Sequence, residues 1–155
     1  MSDVAISTVG EHDLPDLLPL MRGYCEFYEV DPPDDALLSM SHALIGDPER
    51  EGAQFIARAP DGAAVGFATV FWSWSTLAAA RIAVMNDLYV SKAARRQGVG
   101  EALIQRCLDL AAEHGAAILQ WQTALDNHSA QALYDRVGAV SERWLDYFLV
   151  APRKG

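Results

Sequence analysis

Six consecutive residues carry the strongest chemical signal in this sequence, because they join a β-rich run at residues 82–90 to a run of helical periodicity. They are Arg95, Arg96, Gln97, Gly98, Val99 and Gly100. Two glycines at a strand-to-helix junction leave main-chain N–H groups uncovered at a helix N-terminus, where the partial positive charge suits a phosphate. Two arginines add charged donors beside it. The pattern predicts a diphosphate-binding loop, although a left-handed glycine turn with a basic flank has the same composition.

Two common phosphate-binding motifs are excluded by the residues that follow. A P-loop needs a Lys-Ser or Lys-Thr pair after its second glycine, and this chain has Glu101-Ala102 there. A dinucleotide-binding fingerprint needs a third glycine at the position that Leu103 occupies. The remaining pattern is Arg-x-x-Gly-x-Gly, running from Arg95 to Gly100.

A second motif lies downstream, in residues 126–139. Asp126 or Asn127 is placed to cap a helix, and Gly138 is placed to end it. Between them, Ala130, Leu133 and Val137 form the predicted buried stripe, with Tyr134 on its edge.

Together the two motifs resemble the signatures of the GNAT acetyltransferase superfamily, Q/R-x-x-G-x-G/A and N-x-x-A-x-x-L-Y-x-x-x-G-F, with Ala139 where an aromatic residue is more usual. The motifs occupy residues 84–139, and the resemblance in element order covers nearly the whole chain. It implies an acetyl-CoA-dependent N-acetyltransferase acting on a small amine. It also implies a mixed α/β GNAT fold: a central splayed sheet of six to seven strands, with about four helices on both faces.

The resemblance also implies where acetyl-CoA (coenzyme A) binds. The main chain of one splayed strand would bind the pantetheine arm, and the Leu88 amide is a candidate oxyanion donor. The loop would hold the pyrophosphate, Asn127 would face the cofactor, and Tyr134 would reach its sulfur. The implied cofactor-binding residues are Leu88, Tyr89, Val90, Arg95, Arg96, Gln97, Gly98, Val99, Gly100, Asn127 and Tyr134.

The chemistry needs an acid and a base. An amine with a pKa of about 10.4 must lose a proton before it can attack a thioester. Asp87, on the splayed strand, is the candidate base, with Glu26 and Glu29 in reserve; Tyr134 is the candidate acid that protonates the departing thiolate. The alternative for Asp87 is a structural role as an ion-pair or turn residue. The alternative for Tyr134 is packing at a helix edge, with its hydroxyl hydrogen-bonded to the backbone.

Aromatic and acidic residues near the end of the first helix, and tryptophans on a later strand, predict an acceptor pocket for an alkylammonium group. The candidates are Tyr24, Glu26, Phe27, Tyr28, Trp72 and Trp74. The strand also resembles the diamine and polyamine acetyltransferase branch, with Asn86 in place of one of two adjacent acids. An amino acid, an aminoglycoside or a protein amine are alternative acceptors, and a noncatalytic acyl-CoA-binding sensor is an alternative class.

Composition narrows the setting. The net charge of −9 argues against nucleic-acid binding, and we find neither an apolar run of about 20 residues nor a signal peptide, so we expect a cytoplasmic protein. Two cysteines, Cys25 and Cys107, are too few for a disulfide framework, and the four histidines lack metal-ligand spacing, so no metal site is predicted.

Hydrophobic periodicity predicts one domain over residues 1–155. We expect strands at residues 4–9, 54–58, 64–74, 81–90, 117–123 and 142–150, and helices at 11–28, 34–45, 98–114 and 127–137. In the closing strand, Trp144, Tyr147 and Phe148 either form a homodimer surface or are buried in the chain's own sheet.

Overall fold

The computed structural model describes residues 3–154, so the predicted domain limits at residues 1 and 155 lie outside the described residues. The predicted order of elements is largely confirmed. In chain order they are β1 (Ala5–Thr8), α1 (Leu14–Phe27), α2 (Asp34–Gly46), β2 (Gly52–Arg58), β3 (Ala64–Ser75), β4 (Ala80–Val90), α3 (Val99–Glu113), β5 (Leu119–Gln120) and α4 (His128–Arg136).

The strands form one sheet in the order β1-β2-β3-β4-β5. The first four strands are antiparallel neighbours, and β5 runs parallel to β4. Pairing between β4 and β5 covers only Ala83 with Leu119 and Val84 with Gln120. Beyond Val84, β4 continues to Val90 on its β3 side alone, so the two parallel strands separate as predicted.

Both faces of the sheet are covered, as the sequence predicts. One face packs on α1 and α2 through a core whose most buried members are Leu17, Met21, Ile56 and Phe67. The other face packs on α3, with α4 at its margin, through a second core that includes Phe55, Val70, Val99, Leu103 and Cys107. A fully buried side chain of this size contributes roughly 1.5–3 kcal/mol, so the two layers hold the sheet from either side. None of the helices in residues 3–154 is long and apolar enough to cross a bilayer.

A β-bulge in β4 sets the direction of the candidate base. Thr69 pairs with Asp87, whereas the next residue, Val70, pairs with Met85, so Asn86 is the extra residue in the ladder. Without the bulge, Met85 and Asp87 would share one face, because side chains alternate along a strand. With it, Met85 packs in the α3 core and Asp87 shares the α1 face with Thr69.

The predicted closing strand is wrong in this structure, and so is the count of six to seven strands, since the described sheet has five. Residues 142–150 form no strand in the described chain, and their large apolar side chains are 78–97% exposed. A β-strand requires backbone hydrogen bonds to a neighbouring strand. In the described chain, this segment is instead linked to the region after β5 by a side-chain hydrogen bond, in which Gln122 Nε2 donates to Asp146 Oδ1 at 2.8 Å. The pattern of apolar residues predicted a strand but did not show that the segment lacks a neighbouring strand in the described chain.

Candidate functional site

The glycine-containing loop has the conformation that main-chain anion binding requires. Arg96 and Gly98 both have left-handed backbones, with φ of 65° and 80°. Gly98 is the N-cap of α3, and within residues 3–154 no side chain caps this end. The Ala102 N–H donates to the Gly98 carbonyl at 3.1 Å, which leaves the amides of the preceding turn without partners in the helix. These donors and the helix dipole suit a phosphate group.

The arginines beside the loop have different surroundings. Arg95 Nε donates to the Val90 carbonyl at 3.0 Å, and its guanidinium lies 5.9 Å from the Tyr89 ring centre, so it is tied to the end of β4. Arg96 lines an open cavity of about 520 Å³ together with Gly98 and Arg136. Sequence reasoning missed Arg136, which lies 3.8 Å from the Glu101 carboxylate; a basic residue in the last turn of α4 was the available signal.

Helix α4 lies close to the first turn of α3. A Cβ atom on Gly100 would lie 2.9 Å from Leu133 Cδ2, so a side chain at this position would displace the Leu133 side chain. Asn127 is the N-cap, as predicted, and its Oδ1 accepts from the Ala130 N–H at 3.3 Å. Gly138 has φ of 87° just after the helix, which confirms its predicted role as the stop. That Asn127 also faces the cofactor stays a prediction.

Tyr134 projects from α4 into this region and is partly buried. Its ring lies 5.2 Å from that of Trp121, which follows β5, at an angle of 71°. Burial, and to a lesser degree the nearby Tyr28, raises the pKa of Tyr134. A phenol with a raised pKa stays protonated at neutral pH, which is the state a general acid needs.

Asp87 is the most perturbed carboxylate in the described chain. It is 7% exposed, and burial raises its pKa to about 6, against a smaller opposite effect of the Thr69 hydroxyl and the Asn86 amide. Asn86 Nδ2 donates to Asp87 Oδ2 at 3.3 Å. Asp87 Oδ1 is buried and has no hydrogen-bond partner among residues 3–154, and no cation there pairs with it. The ion-pair alternative is therefore wrong for the described chain.

Tyrosines of α1 connect the candidate base to the candidate acid. Burial and the adjacent Asp87 carboxylate raise the pKa of Tyr24. The Tyr24 and Tyr28 rings lie 5.0 Å apart, and Tyr28 in turn influences Tyr134 on the other side of the gap between β4 and β5. Phe27 packs on Tyr28 at 5.1 Å. We call Tyr24, Phe27 and Tyr28 the α1 aromatic cluster.

The predicted tryptophans do not join this cluster. Trp72 stacks on His114 with ring centres 3.8 Å apart, and its Nε1 donates to the Pro48 carbonyl at 2.8 Å. Trp74 is exposed beneath Arg81, near the turn that connects β3 and β4. Both lie toward the opposite end of these strands from the glycine loop, so their prediction as acceptor contacts needs correction. Glu26, the remaining predicted substrate contact, is exposed near the end of α1.

Two buried polar residues behind Asp87 were not predicted. Gln54 is 2% exposed in β2, and its Nε2 donates to Thr69 Oγ1 at 3.1 Å. The signal in the sequence was a glutamine within the apolar run of a strand, since a buried amide needs partners. What could not be read was its position beside Asp87, because that depends on strand register and on the bulge.

Known proteins share this architecture. The model of the Acetyltransferase (GNAT) family matches residues 16–139. The chain is 29% identical to an uncharacterized N-acetyltransferase of Bacillus subtilis, covering 92% of this chain and 94% of that protein. It is 27% identical to a thialysine N-epsilon-acetyltransferase of Caenorhabditis elegans, covering 95% and 92%.

Among solved structures, the crystal structure of a probable acetyltransferase matches with a TM-score of 0.82 and 27% identity, covering 97% of this chain and 99% of that one. These similarities do not identify the diamine and polyamine branch, which stays a prediction. The matching family model, the N-acetyltransferase relatives and the shared mixed α/β fold agree with the loop and the separated strands, and the chain belongs to the GNAT family of acetyltransferases.

Proposed function

We propose that this single domain is an acetyl-CoA-dependent N-acetyltransferase that acetylates the primary amine of a small molecule in a ternary complex. The observation that carries the proposal is Asp87 Oδ1, a buried carboxylate oxygen without a hydrogen-bond donor in the described chain, at the edge where β4 and β5 have separated. An amine that enters this gap supplies the missing donor. A carboxylate with a pKa of about 6 is charged at neutral pH and well matched to accept a proton.

The residues present fit an acyl-CoA. The pyrophosphate would lie on the main-chain amides at the start of α3, with Arg96 and Arg136 on the cavity beside them. Main-chain groups of Leu88, Tyr89 and Val90, on the edge of β4 that β5 does not pair, would bind the pantetheine arm. When bound, acetyl-CoA supplies a thioester-activated acetyl group.

The chain's own groups then manage two protons. Asp87 Oδ1 accepts one from the ammonium of the acceptor, which leaves a neutral nucleophilic nitrogen. The Tyr134 hydroxyl would donate one to the departing sulfur and recover a proton from the nitrogen, which loses its second proton as the amide forms; within residues 3–154 no hydrogen bond holds that hydroxyl elsewhere. The Leu88 amide is the proposed donor to the carbonyl oxygen.

The acceptor is proposed to be a compound with a terminal primary amine, such as a diamine or an amino acid with a side-chain amine. The α1 aromatic cluster offers ring faces to a cation beside the Asp87 carboxylate. The relative from Caenorhabditis elegans is named for an N-epsilon-acetyltransferase reaction on thialysine, which supports an acceptor of this kind. We place the reaction in the cytoplasm, where reducing conditions suit the free thiols of Cys25 and Cys107.

The function is tested by measuring free thiol release from acetyl-CoA with a panel of small amines, for the native chain and for Tyr134→Phe. We expect release with at least one primary amine, and a kcat roughly 10²-fold lower for the variant because the acid is lost. The dissociation constant of CoA is the internal control and should not change. Tight CoA binding without release for any amine would favour the noncatalytic sensor, and an unchanged kcat would remove Tyr134 from the acid role.

The base is tested by the pH dependence of kcat/KM. Because Asp87 acts unprotonated, kcat/KM of the native enzyme should fall as the pH drops through about 6. Asp87→Asn should lower kcat/KM by roughly 10²–10⁴-fold and abolish this acidic limb. Asp109→Asn, which changes an exposed carboxylate on α3, is the matched control. A limb that persists in Asp87→Asn assigns the base to another group.

The loop is tested by comparing two glycines with nearly the same φ angle. Gly98 and Gly115 have φ of 80° and 82° at opposite ends of α3. A valine at either position destabilises the fold by about 1–2 kcal/mol because of left-handed backbone strain, but only Gly98→Val displaces the proposed phosphate donors. We expect calorimetry to show CoA affinity reduced at least about tenfold in Gly98→Val and nearly native in Gly115→Val. Equal affinities would contradict the loop assignment.

We also propose that the protein is a homodimer that pairs through residues 142–150, here called the C-terminal segment. Its apolar side chains are exposed at both odd and even positions, so neither side of the segment is covered by the sheet of the same chain. The link between Gln122 and Asp146 holds it beside the end of β5, which is the edge strand of the described sheet. A second copy offers the same apolar segment and the same open edge, which is the self-complementarity that a twofold dimer needs.

The dimer is tested by light scattering after size exclusion. The native chain should have twice the mass of one chain, and Phe148→Asp should be monomeric because a charge would be buried in the interface. Leu77→Asp is the matched control: Leu77 is 98% exposed in the turn between β3 and β4. A monomeric native protein, or a dimeric Phe148→Asp variant, would exclude this interface.

A further inference from the structure

We propose that Thr69 and Gln54 are positioning residues for Asp87. In this arrangement Gln54 fixes the direction of the Thr69 hydroxyl, and that hydroxyl holds the carboxylate in place for proton transfer. The inference rests on the proposed function, which gives Asp87 the role of base. It adds a dependence of that base on two residues that no motif contains.

The three residues lie side by side across three strands. Gln54 of β2 pairs with Thr69 of β3, and Thr69 pairs with Asp87 of β4. All three are buried beneath α1. In an interior of low polarity such a row is strongly interdependent, because each polar group needs the next as its partner.

The donors and acceptors give the row a direction. Gln54 Nε2 donates to Thr69 Oγ1 at 3.1 Å and lies 3.7 Å from Met21 Sδ, so the amide nitrogen is held by two groups, whereas Gln54 Oε1 has no hydrogen-bond partner in the described chain. A hydroxyl has one proton. Since its oxygen already accepts from Gln54, that proton is free for the carboxylate opposite it, and the Thr69 hydroxyl does act to lower the pKa of Asp87.

The ionisation of Asp87 can be distinguished from that of the titratable groups around it. Tyr24 of α1 lies on the same side of the sheet as Asp87, and Cys107 of α3 interacts with it electrostatically from the other side. Burial raises the pKa of both, so both are neutral between pH 5 and 8. Its neighbours within the sheet, Thr69 and Asn86, do not titrate. A transition near pH 6 in this region therefore belongs to Asp87.

The experiment measures the midpoint of the acidic limb of kcat/KM in four proteins: native, Thr69→Val, Thr69→Ser and Gln54→Met. Thr69→Val keeps the shape and removes the hydroxyl, so the midpoint should rise by about one pH unit, because a hydrogen bond to the charged form is lost. Thr69→Ser keeps the hydroxyl and should keep the native midpoint. Gln54→Met should shift the midpoint in the same direction by less, because the hydroxyl remains but is no longer fixed.

A second readout does not depend on catalysis. Because the pKa of Asp87 is raised on folding, the free energy of unfolding should decline as the pH rises from about 4 through the folded value of about 6. In Thr69→Val this decline should extend to higher pH, and in Asp87→Asn it should be absent. A shift in unfolding without an acidic limb in kcat/KM would refute the base but retain the positioning.

The inference is overturned if the midpoint in Thr69→Val and in Gln54→Met equals the native one in both measurements. It is also overturned if Thr69→Ser shifts the midpoint as far as Thr69→Val does, because loss of packing would then explain both. If Thr69→Val does not fold, Thr69→Ser and Gln54→Met still decide the question. A limb that survives in Asp87→Asn would instead refute the proposed base.

Discussion

The early end of pairing between β4 and β5 is the constraint on which the candidate site depends. Two parallel residue pairs join the strands, and then the last six residues of β4 have no partner on that side in the described chain. Main-chain groups of this edge are therefore open to a ligand within a domain that otherwise covers its sheet. Asp87 lies in this unpaired part of β4, and Tyr134 lies on α4, which follows β5 in the chain.

A buried carboxylate at Asp87 has a cost in stability. Burial raises the pKa of Asp87 to about 6, from about 3.9 for an unperturbed aspartate, and a difference of about two units corresponds to roughly 3 kcal/mol. Because folding disfavours the charged form of Asp87, its contribution to the free energy of unfolding is most favourable below pH 4 and is lost as the pH rises through 6. Such a cost is typical of a functional group rather than of a packing residue.

The sequence predicted what depends on local chemistry. Glycine positions fixed the start of α3 and the end of α4, and hydrophobic periodicity located the helices and four of the strands to within a few residues. It failed where the outcome depends on register or on distant partners. No local pattern announces the extra residue Asn86, and without the bulge the direction of Asp87 cannot be assigned.

Tertiary contacts also decided which aromatic residues meet. Trp72 and Tyr24 looked equally suitable for the acceptor pocket, but Trp72 packs on His114 beside α3, while Tyr24 lies on the opposite face of the sheet, next to Asp87. The C-terminal segment was predicted as a strand because its residues favour one, and that propensity is real. Whether a strand forms depends on a neighbouring edge, which a single sequence does not specify.

Substitutions at the exposed end of α1 differ in their cost to the fold from substitutions near Asp87. Phe27 and Tyr28 are more than a third open to solvent and lie outside both hydrophobic cores, so replacing them costs the fold little. Asp87, by contrast, is buried next to the β-bulge of β4, where substitutions cost the fold more. Under the proposed function, divergent descendants of such a chain can acquire new acceptors by exchanging a few side chains at the end of α1, while Asp87 and the fold around it are retained.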